Sequence, residues 1–386
     1  MRYESARLAG FHADKEIDKR GECDSSFFLL VMALLVTGVV MVLSSSYARA
    51  YYDPGRITGG HAAYYFVRQL IYAVLGTAVM LLASRLPMPF YRRYAFPFLF
   101  FTVLLLLLVP FVGVKANGSR RWLGVGGLTL QPSELAKLAV ILSFSVLICR
   151  FRDRMHSFRF GILPFAGILA VIVGLLVLEP HFSASIIIIA LGGVMMFLGG
   201  AALGWFVLAL GGAGTGLAVL LTFFPYASSR INTWRDPFSS SSDEGYQIVQ
   251  SLYSIGSGGL SGLGLGGSRQ KFLYLPEEHN DFIFSVICEE LGFIGAVLIL
   301  SLFALLILRG YWIALHCRSR FAFLVCAGIS TLLAIQVFLN VAVVTNLVPC
   351  TGISLPFFSY GGTALLIQMG EMGILLSASR DILVQR

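Results

Sequence analysis

The sequence predicts an all-α protein that is embedded in a membrane, with about ten spanning helices and one long polar loop outside the membrane. Hydrophobic residues make up 57% of the chain and charged residues 12%, whereas a soluble domain carries about a quarter charged residues. Apolar runs of about 18 residues or more are long enough to cross a hydrocarbon core. Such runs are centred near residues 35, 74, 104, 142, 169, 191, 214, 295, 333 and 369.

The first apolar run begins at Phe27, after a charged N-terminal segment, and lacks the small-residue cleavage site of a signal peptide, so it is interpreted as a retained span. The segments on the N-terminal side of the membrane hold about twice as many Lys and Arg residues as the others, which places that side in the cytosol. We therefore expect a cytoplasmic segment 1–25, spans 1 to 7 in 26–224, an outer loop 225–280, spans 8 to 10 in 281–379 and a cytoplasmic end 380–386.

The basic net charge has a topological explanation. A formal charge of +8 follows largely from this inside excess of Lys and Arg, which anionic lipid headgroups also favour, so nucleic acid is not expected as a partner. The 6 cysteines and 6 histidines show neither paired spacing nor a metal-binding motif.

Two outward connections are longer than the rest. Residues 113–132 carry Lys115, Arg120 and Arg121 and run into the fourth span. The loop 225–280 contains a serine-rich stretch typical of disorder. It also contains aromatic and apolar residues that are costly to leave in water, so we expect short helices and a reentrant segment packed on the bundle.

Glycines 262–267 match the pattern G-x-G-x-x-G. A dinucleotide site requires this pattern between a strand and a helix, and no such context is predicted here. Two interpretations remain: a flexible connection, or glycines that let backbone N–H groups approach an anionic headgroup.

The loop ends in a cluster of ionisable residues, 276–281, next to the eighth span. Asn280 or Asp281 would cap that helix in a purely structural interpretation. In a functional interpretation, one carboxylate is a general base on the outer face. Spacing alone modestly favours the cap.

Glu134 and Lys137 lie one turn apart at the start of the fourth span, so their side chains can meet. They form either an intrahelical structural pair or the wall of a polar cavity that receives an anion. Other charges fall within spans: Arg68, Glu289, Glu290 and Glu371.

Three segments together resemble one family. The stretch 115–122 with 131–137, the stretch 245–295, and the stretch 352–362, which reads GISLPFFSYGG, are similar to outward loops and adjoining helices of SEDS (shape, elongation, division and sporulation) proteins. The match to the FtsW and SpoVE branch is closer than that to RodA. One departure is Pro180-His181-Phe182, where many members have an acid after the proline, and no role is transferred to His181.

The resemblance implies a SEDS-type bundle in the cytoplasmic membrane that polymerises lipid II into glycan strands on the outer face, for division or sporulation, with a class B penicillin-binding transpeptidase as partner. It places the essential loop aspartate at Asp281 and the buried acid–base pair at Glu134 and Lys137. The remaining candidate substrate-binding residues are Lys115, Arg120, Arg121, Arg269, Lys271, Glu277, His279 and Ser359.

The implied chemistry needs a base, for which Asp281 is the candidate, and positive charge for a departing diphosphate, from Lys115, Arg120, Arg121 and Lys137. A divalent cation, Mg²⁺ or Mn²⁺, is a candidate cofactor, and no organic cofactor is expected. Two other functions stay open: a lipid II flippase or transporter, and a scaffold that recruits the transpeptidase.

Overall fold

The computed structural model describes residues 21–52, 58–116, 119–125, 128–209, 211–212, 233–240 and 245–383. The helices are α1 Ser25–Tyr52, α2 Tyr64–Arg85, α3 Met88–Val112, α4 Pro132–Arg150, α5 Leu163–Leu178, α6 Phe182–Gly199, α7 Tyr246–Gly258, α8 Ile283–Leu315, α9 Arg320–Val344 and α10 Gly362–Leu383. The strands are β1 Val114–Ala116, β2 Ser119–Val125 and β3 Leu128–Leu130. The span expected near residue 214 falls mostly outside the described residues.

Eight helical segments in the described part of the chain are long and apolar enough to cross a membrane: α1 to α4, α5 extended back to give Phe158–Leu178, α6, α8 and α9. The helix α10 is 22 residues long, is more polar, and has residues 371–379 buried among the other helices. A helix that neighbouring helices shield from lipid can carry polar residues such as Gln368 and Glu371. The prediction of an all-α, multi-pass membrane protein is confirmed.

The centre of the bundle is formed by α4 and α9. Their most apolar stretches are 78% and 72% buried, against 22% for α2, so α2 shows more of its surface to lipid. Phe144 of α4 is fully buried, and its ring meets the Phe165 ring of α5 edge-on at 4.8 Å. The buried helices α4 and α9 therefore provide rigid positions for the side chains that project from their ends.

The first and last described helices meet at one end of the bundle. The backbone N–H of Gly21 donates to the carbonyl of Arg380 at 3.1 Å. Asp24 accepts from Arg309 of α8 at 2.7 Å, and its N–H donates to the hydroxyl of Ser379. The start of α1 and the end of α10 thus lie on the same side, as expected for termini in one compartment.

A small antiparallel sheet, in the order β1-β2-β3, lies at the opposite end, between α3 and α4. The sequence analysis did not predict it. The signals were present: the residues between the paired strands are Asn117-Gly118 and Gly126-Gly127, two-residue pairs that favour hairpins. In register, Lys115 lies opposite Arg120 and Leu123 opposite Leu130.

The long loop packs back on the bundle through α7 and the glycines that follow it. The helix α8 is interrupted at Gly292, whose φ of 68° is left-handed. At this break the N–H groups of Leu263 and Gly264 donate to the carbonyls of Glu289 and Glu290, both at 3.0 Å. These glycine-segment N–H groups are therefore used within the protein and do not bind a headgroup.

Candidate functional site

A polar cavity of about 230 Å³ opens at the end of the bundle that carries the small sheet. It lies between the start of α4, the turn joining α5 and α6, the residues just before α8 and the loop before α10. Its lining includes Arg121, Trp122, Gln131, Glu134, Lys137, His181, Ser183, Glu277, Asn280, Asp281, Gln336, Gly352, Ser359, Tyr360 and Gln368.

Asp281 lies at the edge of this cavity, two residues before α8. The N-cap of α8 is Phe282 and no side chain caps the helix, so the capping interpretation of Asp281 is wrong. Burial, together with the nearby Glu277 carboxylate, raises the pKa of Asp281 to about 6, although His279 and Arg121 act in the opposite direction. A carboxylate with a pKa close to neutral suits general-base chemistry.

Two buried contacts fix the backbone around Asp281. Asn340 of α9 donates its side-chain amide to the carbonyls of Asp281 and Ile353, at 2.8 and 2.6 Å. Gly352 stands so close that a Cβ added there would lie 3.0 Å from Asp281 Oδ2, and its φ of +59° is left-handed. The loop before α10 is thus held directly against the carboxylate.

Arg121 projects from β2 into the cavity and donates to the carbonyl of Pro180 at 2.6 Å. Burial lowers the pKa of Arg121, and the charges of Asp281 and Glu179 partly offset this effect. Glu179 is 1% exposed, and burial raises the pKa of its carboxyl group to about 8. Arg121 therefore lies near two acidic residues on different elements, Asp281 and Glu179.

Glu134 and Lys137 form an ion pair at 2.7 Å across one turn of α4, and both line the cavity. Lys137 is 2% exposed and Glu134 8%. The pair is both an intrahelical contact and part of a polar wall, so the two interpretations left open by the sequence apply together.

Glu277, which also lines the cavity, accepts a hydrogen bond from the Asn280 amide at 2.6 Å. The next two residues, Glu278 and His279, do not line the cavity. Glu278 is fully buried and pairs with Arg49 of α1 at 2.9 Å, while His279 packs its ring against Tyr65 at 4.7 Å. This cluster fixes the end of the long loop to α1 and α2.

The chain is similar to known proteins over most of its length. The family model for cell cycle proteins of the FtsW/RodA/SpoVE type matches residues 24–382. The chain belongs to the FtsW/RodA/SpoVE family. Stage V sporulation protein E of Bacillus subtilis is 39% identical over 94% of this chain and 98% of its own. The probable peptidoglycan glycosyltransferase FtsW of Trichlorobacter lovleyi is also 39% identical, over 94% of each chain.

Solved structures give the same result. A chain of a peptidoglycan synthase complex superposes with a TM-score of 0.75 at 29% identity, covering 93% of this chain and 98% of that one. The rod shape determining protein RodA of Thermus thermophilus superposes with a TM-score of 0.66 at 29% identity, covering 93% and 97%. The recognised family, and its closer likeness to FtsW and SpoVE, are confirmed.

Only some of the site residues predicted for this FtsW/RodA/SpoVE protein line the cavity. Asp281, Arg121, Glu134, Lys137, Glu277 and Ser359 do so. Ser359, however, donates to the carbonyl of Asn280 at 2.8 Å and accepts from the N–H of Leu355 at 2.7 Å. Its hydroxyl therefore holds the loop before α10 against the segment that carries Asp281.

The basic residues Arg269 and Lys271 do not line the cavity. Lys271 is 2% exposed and pairs with Glu290 of α8 at 2.8 Å, and the Arg269 N–H donates to Glu289 at 2.9 Å. These contacts stabilise the docked loop, so the structure does not place either residue where a substrate in the cavity would bind.

The remaining candidates also lie apart from the cavity lining. Arg120 is exposed and donates to the carbonyl of Pro110 at the end of α3, at 3.0 Å. His279 packs against aromatic rings, and the side chain of Lys115 lies outside the described residues. Arg120 and Arg121 are adjacent on β2, and only Arg121 lines the cavity.

Sequence analysis missed several cavity residues. Gln131 and His181 meet with their Nε2 atoms 3.5 Å apart, and Gln336 and Gln368 line the cavity from α9 and α10. Uncharged amides carry no motif, so the sequence offered little signal for the glutamines. The departure at His181 was visible, but only the fold shows that it faces the site.

Within the described residues, no three His, Cys, Asp or Glu side chains are grouped closely enough to hold a metal ion by themselves. Glu277 and Asp281 still supply two carboxylates at the cavity. Because Mg²⁺ commonly binds through one or two carboxylates and the phosphates of a substrate, the donor set fits a cation that arrives with a diphosphate.

Proposed function

We propose that this protein is a peptidoglycan glycosyltransferase that polymerises lipid II on the outer face of the cytoplasmic membrane. The observation that carries the proposal is the carboxylate of Asp281, whose pKa is raised to about 6, in a polar cavity that also holds Arg121 and Lys137. The names of the curated relatives, which include probable peptidoglycan glycosyltransferases, support the same activity.

The reaction joins two lipid-linked disaccharides. A sugar hydroxyl of one attacks the anomeric carbon of the other; the new C–O bond forms as the C–O bond to the diphosphate breaks. The hydroxyl proton passes to the Asp281 carboxylate, and the polyprenyl diphosphate leaves with the bonding electrons. General bases of this kind typically contribute about 10²–10⁴-fold in rate.

The cationic groups of the cavity suit the leaving group. Arg121 can form paired hydrogen bonds to phosphate oxygens, and Lys137 adds a buried charge. A diphosphate leaves without protonation, so no carboxylic acid is needed on that side. A divalent cation, Mg²⁺ or Mn²⁺, held by Glu277 and by diphosphate oxygens, would neutralise further negative charge.

The orientation and partner are also part of the proposal. The excess of Lys and Arg on the side of the termini favours a cytoplasmic location for both termini, which puts the cavity outside. The likeness to a chain of a peptidoglycan synthase complex favours a complex with a class B penicillin-binding transpeptidase, which would crosslink the new strands.

The test is polymerisation of labelled lipid II by the purified full chain. We expect Asp281→Asn and Asp281→Ala to abolish glycan formation while the protein elutes as a folded species in detergent. Asp153→Asn is the matched control, because Asp153 lies at the opposite end of the bundle, just after α4. Full polymerisation by Asp281→Asn would overturn the proposal.

Reconstitution separates the two other functions. A polymerase makes glycan when lipid II is supplied on the outer face alone, whereas a flippase moves labelled lipid II across the vesicle and makes no polymer. A scaffold predicts that cells with Asp281→Ala still grow, whereas loss of growth together with retained complex formation supports catalysis.

A further inference from the structure

Several buried polar atoms without a hydrogen-bond partner in the described part of the chain lie at the turn between α5 and α6. They are Arg121 Nε, both carboxyl oxygens of Glu179 and His181 Nδ1. Arg121 is joined to this turn by its hydrogen bond to Pro180. Because about 90% or more of buried polar groups in proteins are paired, this concentration is unusual, and two of its residues, Arg121 and His181, line the cavity where a ligand could supply the missing partner.

His181 and Arg121 are the members of this group that line the cavity, and His181 is the one on the turn itself. It lines the cavity and is 7% exposed. Its Nε2 atom lies 3.5 Å from the amide nitrogen of Gln131, and its carbonyl accepts from Ser185. The ring therefore has a polar contact to Gln131 on one nitrogen, and its other nitrogen, Nδ1, has no hydrogen-bond partner.

Two side chains of this turn, His181 and Glu179, are largely uncharged at neutral pH. Burial, and then the charges of Arg121 and Lys137, lower the pKa of His181 to about 3, so its imidazole is neutral. Burial raises the pKa of Glu179 to about 8, so its carboxyl group is mostly protonated. Neutral imidazole, amide and carboxyl groups bind a diphosphate more weakly than Arg121 and Lys137 do, and they exchange hydrogen bonds with hydroxyl and acetamido groups.

An aromatic ring completes the arrangement. Trp122, next to Arg121 on β2, lines the cavity together with Gln131 and Ser183. An indole beside a few polar groups is a common way to bind a partly apolar, partly polar ligand such as a sugar ring. The charged side chains Lys137 and Arg121 are then available to the diphosphate.

We propose that His181, supported by Gln131, is a specificity-determining residue that binds an uncharged hydroxyl or acetamido group of the sugar in a lipid-linked substrate. The inference rests on the proposed function, since its ligand is a sugar carried on a lipid diphosphate. In this proposal the sugar, and not the diphosphate leaving group, binds beside the turn between α5 and α6.

Binding by the full chain tests this assignment, with two probes that share the lipid diphosphate: fluorescent lipid II, which carries the disaccharide and its peptide, and undecaprenyl diphosphate, which carries neither. The Asp281→Asn background prevents turnover. We expect His181→Phe to weaken lipid II binding about tenfold, the loss of one buried hydrogen bond, and to leave undecaprenyl diphosphate binding within about twofold. His181→Asn, which keeps a neutral hydrogen-bonding group, should restore most of the affinity.

Arg121→Gln is the matched comparison, since it should weaken both probes. If His181→Phe fails to fold, Gln131→Leu provides the same test, with the same selective loss expected. Equal losses for the two probes, or unchanged lipid II binding, would overturn the assignment. Selective binding without any polymerisation by the parent protein would instead overturn the proposed function and leave the sugar contact standing.

Discussion

Asn340, near the end of α9, holds the backbone carbonyl of Asp281 with a hydrogen bond of 2.8 Å. The same amide group donates to Ile353, so one buried side chain sets the distance between the base and the loop that packs on it. The side chain of Asn340 is a neutral amide that carries no charge and does not titrate. Its role is to position Asp281.

Replacing Asn340 with Ala should therefore lower kcat for lipid II polymerisation by about 10²-fold, because small displacements of a catalytic group are costly, while KM changes little. Steady-state kinetics measure both constants. Asn346→Gly is the control, since Asn346, two residues beyond α9, donates to the carbonyl of Trp234 in the long loop, and glycine tolerates its φ of 60°. Equal effects of the two substitutions would show that Asn340 acts only on stability.

The ion pair of Glu134 and Lys137 gives a second prediction. Removing one partner of a buried pair leaves an uncompensated charge and costs about 3–5 kcal/mol, whereas replacing both by uncharged groups is far milder. Lys137→Met should thus lower the melting temperature in detergent more than Glu134→Gln/Lys137→Met does. Both variants should lack polymerisation, because each has lost the lysine. Polymerisation by the double variant would show that the reaction does not require Lys137.

The membrane fold follows from local composition, which is why the sequence predicts it well. An apolar run long enough to span lipid must be helical, since no water satisfies its backbone. The small sheet was missed because β1 and β3 have only 3 residues each, and strands so short carry almost no alternation. Their hairpin dipeptides were the usable signal.

The site was harder to predict because it depends on pairings between distant segments. Lys271 was assigned to substrate as one of several basic residues, but the break in α8 at Gly292 brings the loop back and pairs it with Glu290. Conversely, Gln131 and His181 are far apart in sequence and meet only when α4 packs beside the turn before α6. Asp281 was found through family resemblance, not through spacing.

The pKa of Asp281 predicts the pH dependence of activity and stability. A base with a pKa of about 6 must be deprotonated to act, so kcat/KM should fall as the pH drops below about 6. The Arg121 charge lowers this pKa, so Arg121→Gln should move the acidic limb to higher pH. Rate measurements between pH 5 and 8 test the shift. An acidic limb at the same pH in Arg121→Gln would show that the Arg121 charge does not affect the pKa of Asp281.

The effect of Asp281 on stability has a defined sign. Its pKa is raised on folding from 3.8 to about 6, so between these values the folded state binds more protons than the unfolded state. Stability is then lost as the pH rises through this window. Asp281→Asn should raise the melting temperature at pH 8 and have a smaller effect at pH 4.

The glycines that meet at the break in α8 give the last prediction. A Cβ added to Gly262 would lie 2.2 Å from the carbonyl oxygen of Glu290, and the φ of Gly262, +77°, is itself unfavourable for alanine. Gly262→Ala should therefore displace the docked loop, expose it to limited proteolysis, and reduce polymerisation. Gly256→Ala is the matched control on α7, where a Cβ meets nothing within 4 Å, and a helical alanine there should stabilise slightly. Because Gly262 is remote from the cavity lining, loss of activity in Gly262→Ala with unchanged proteolysis would contradict this account. Loss of both would show that the loop must remain docked on α8 for Asp281 to be held in place.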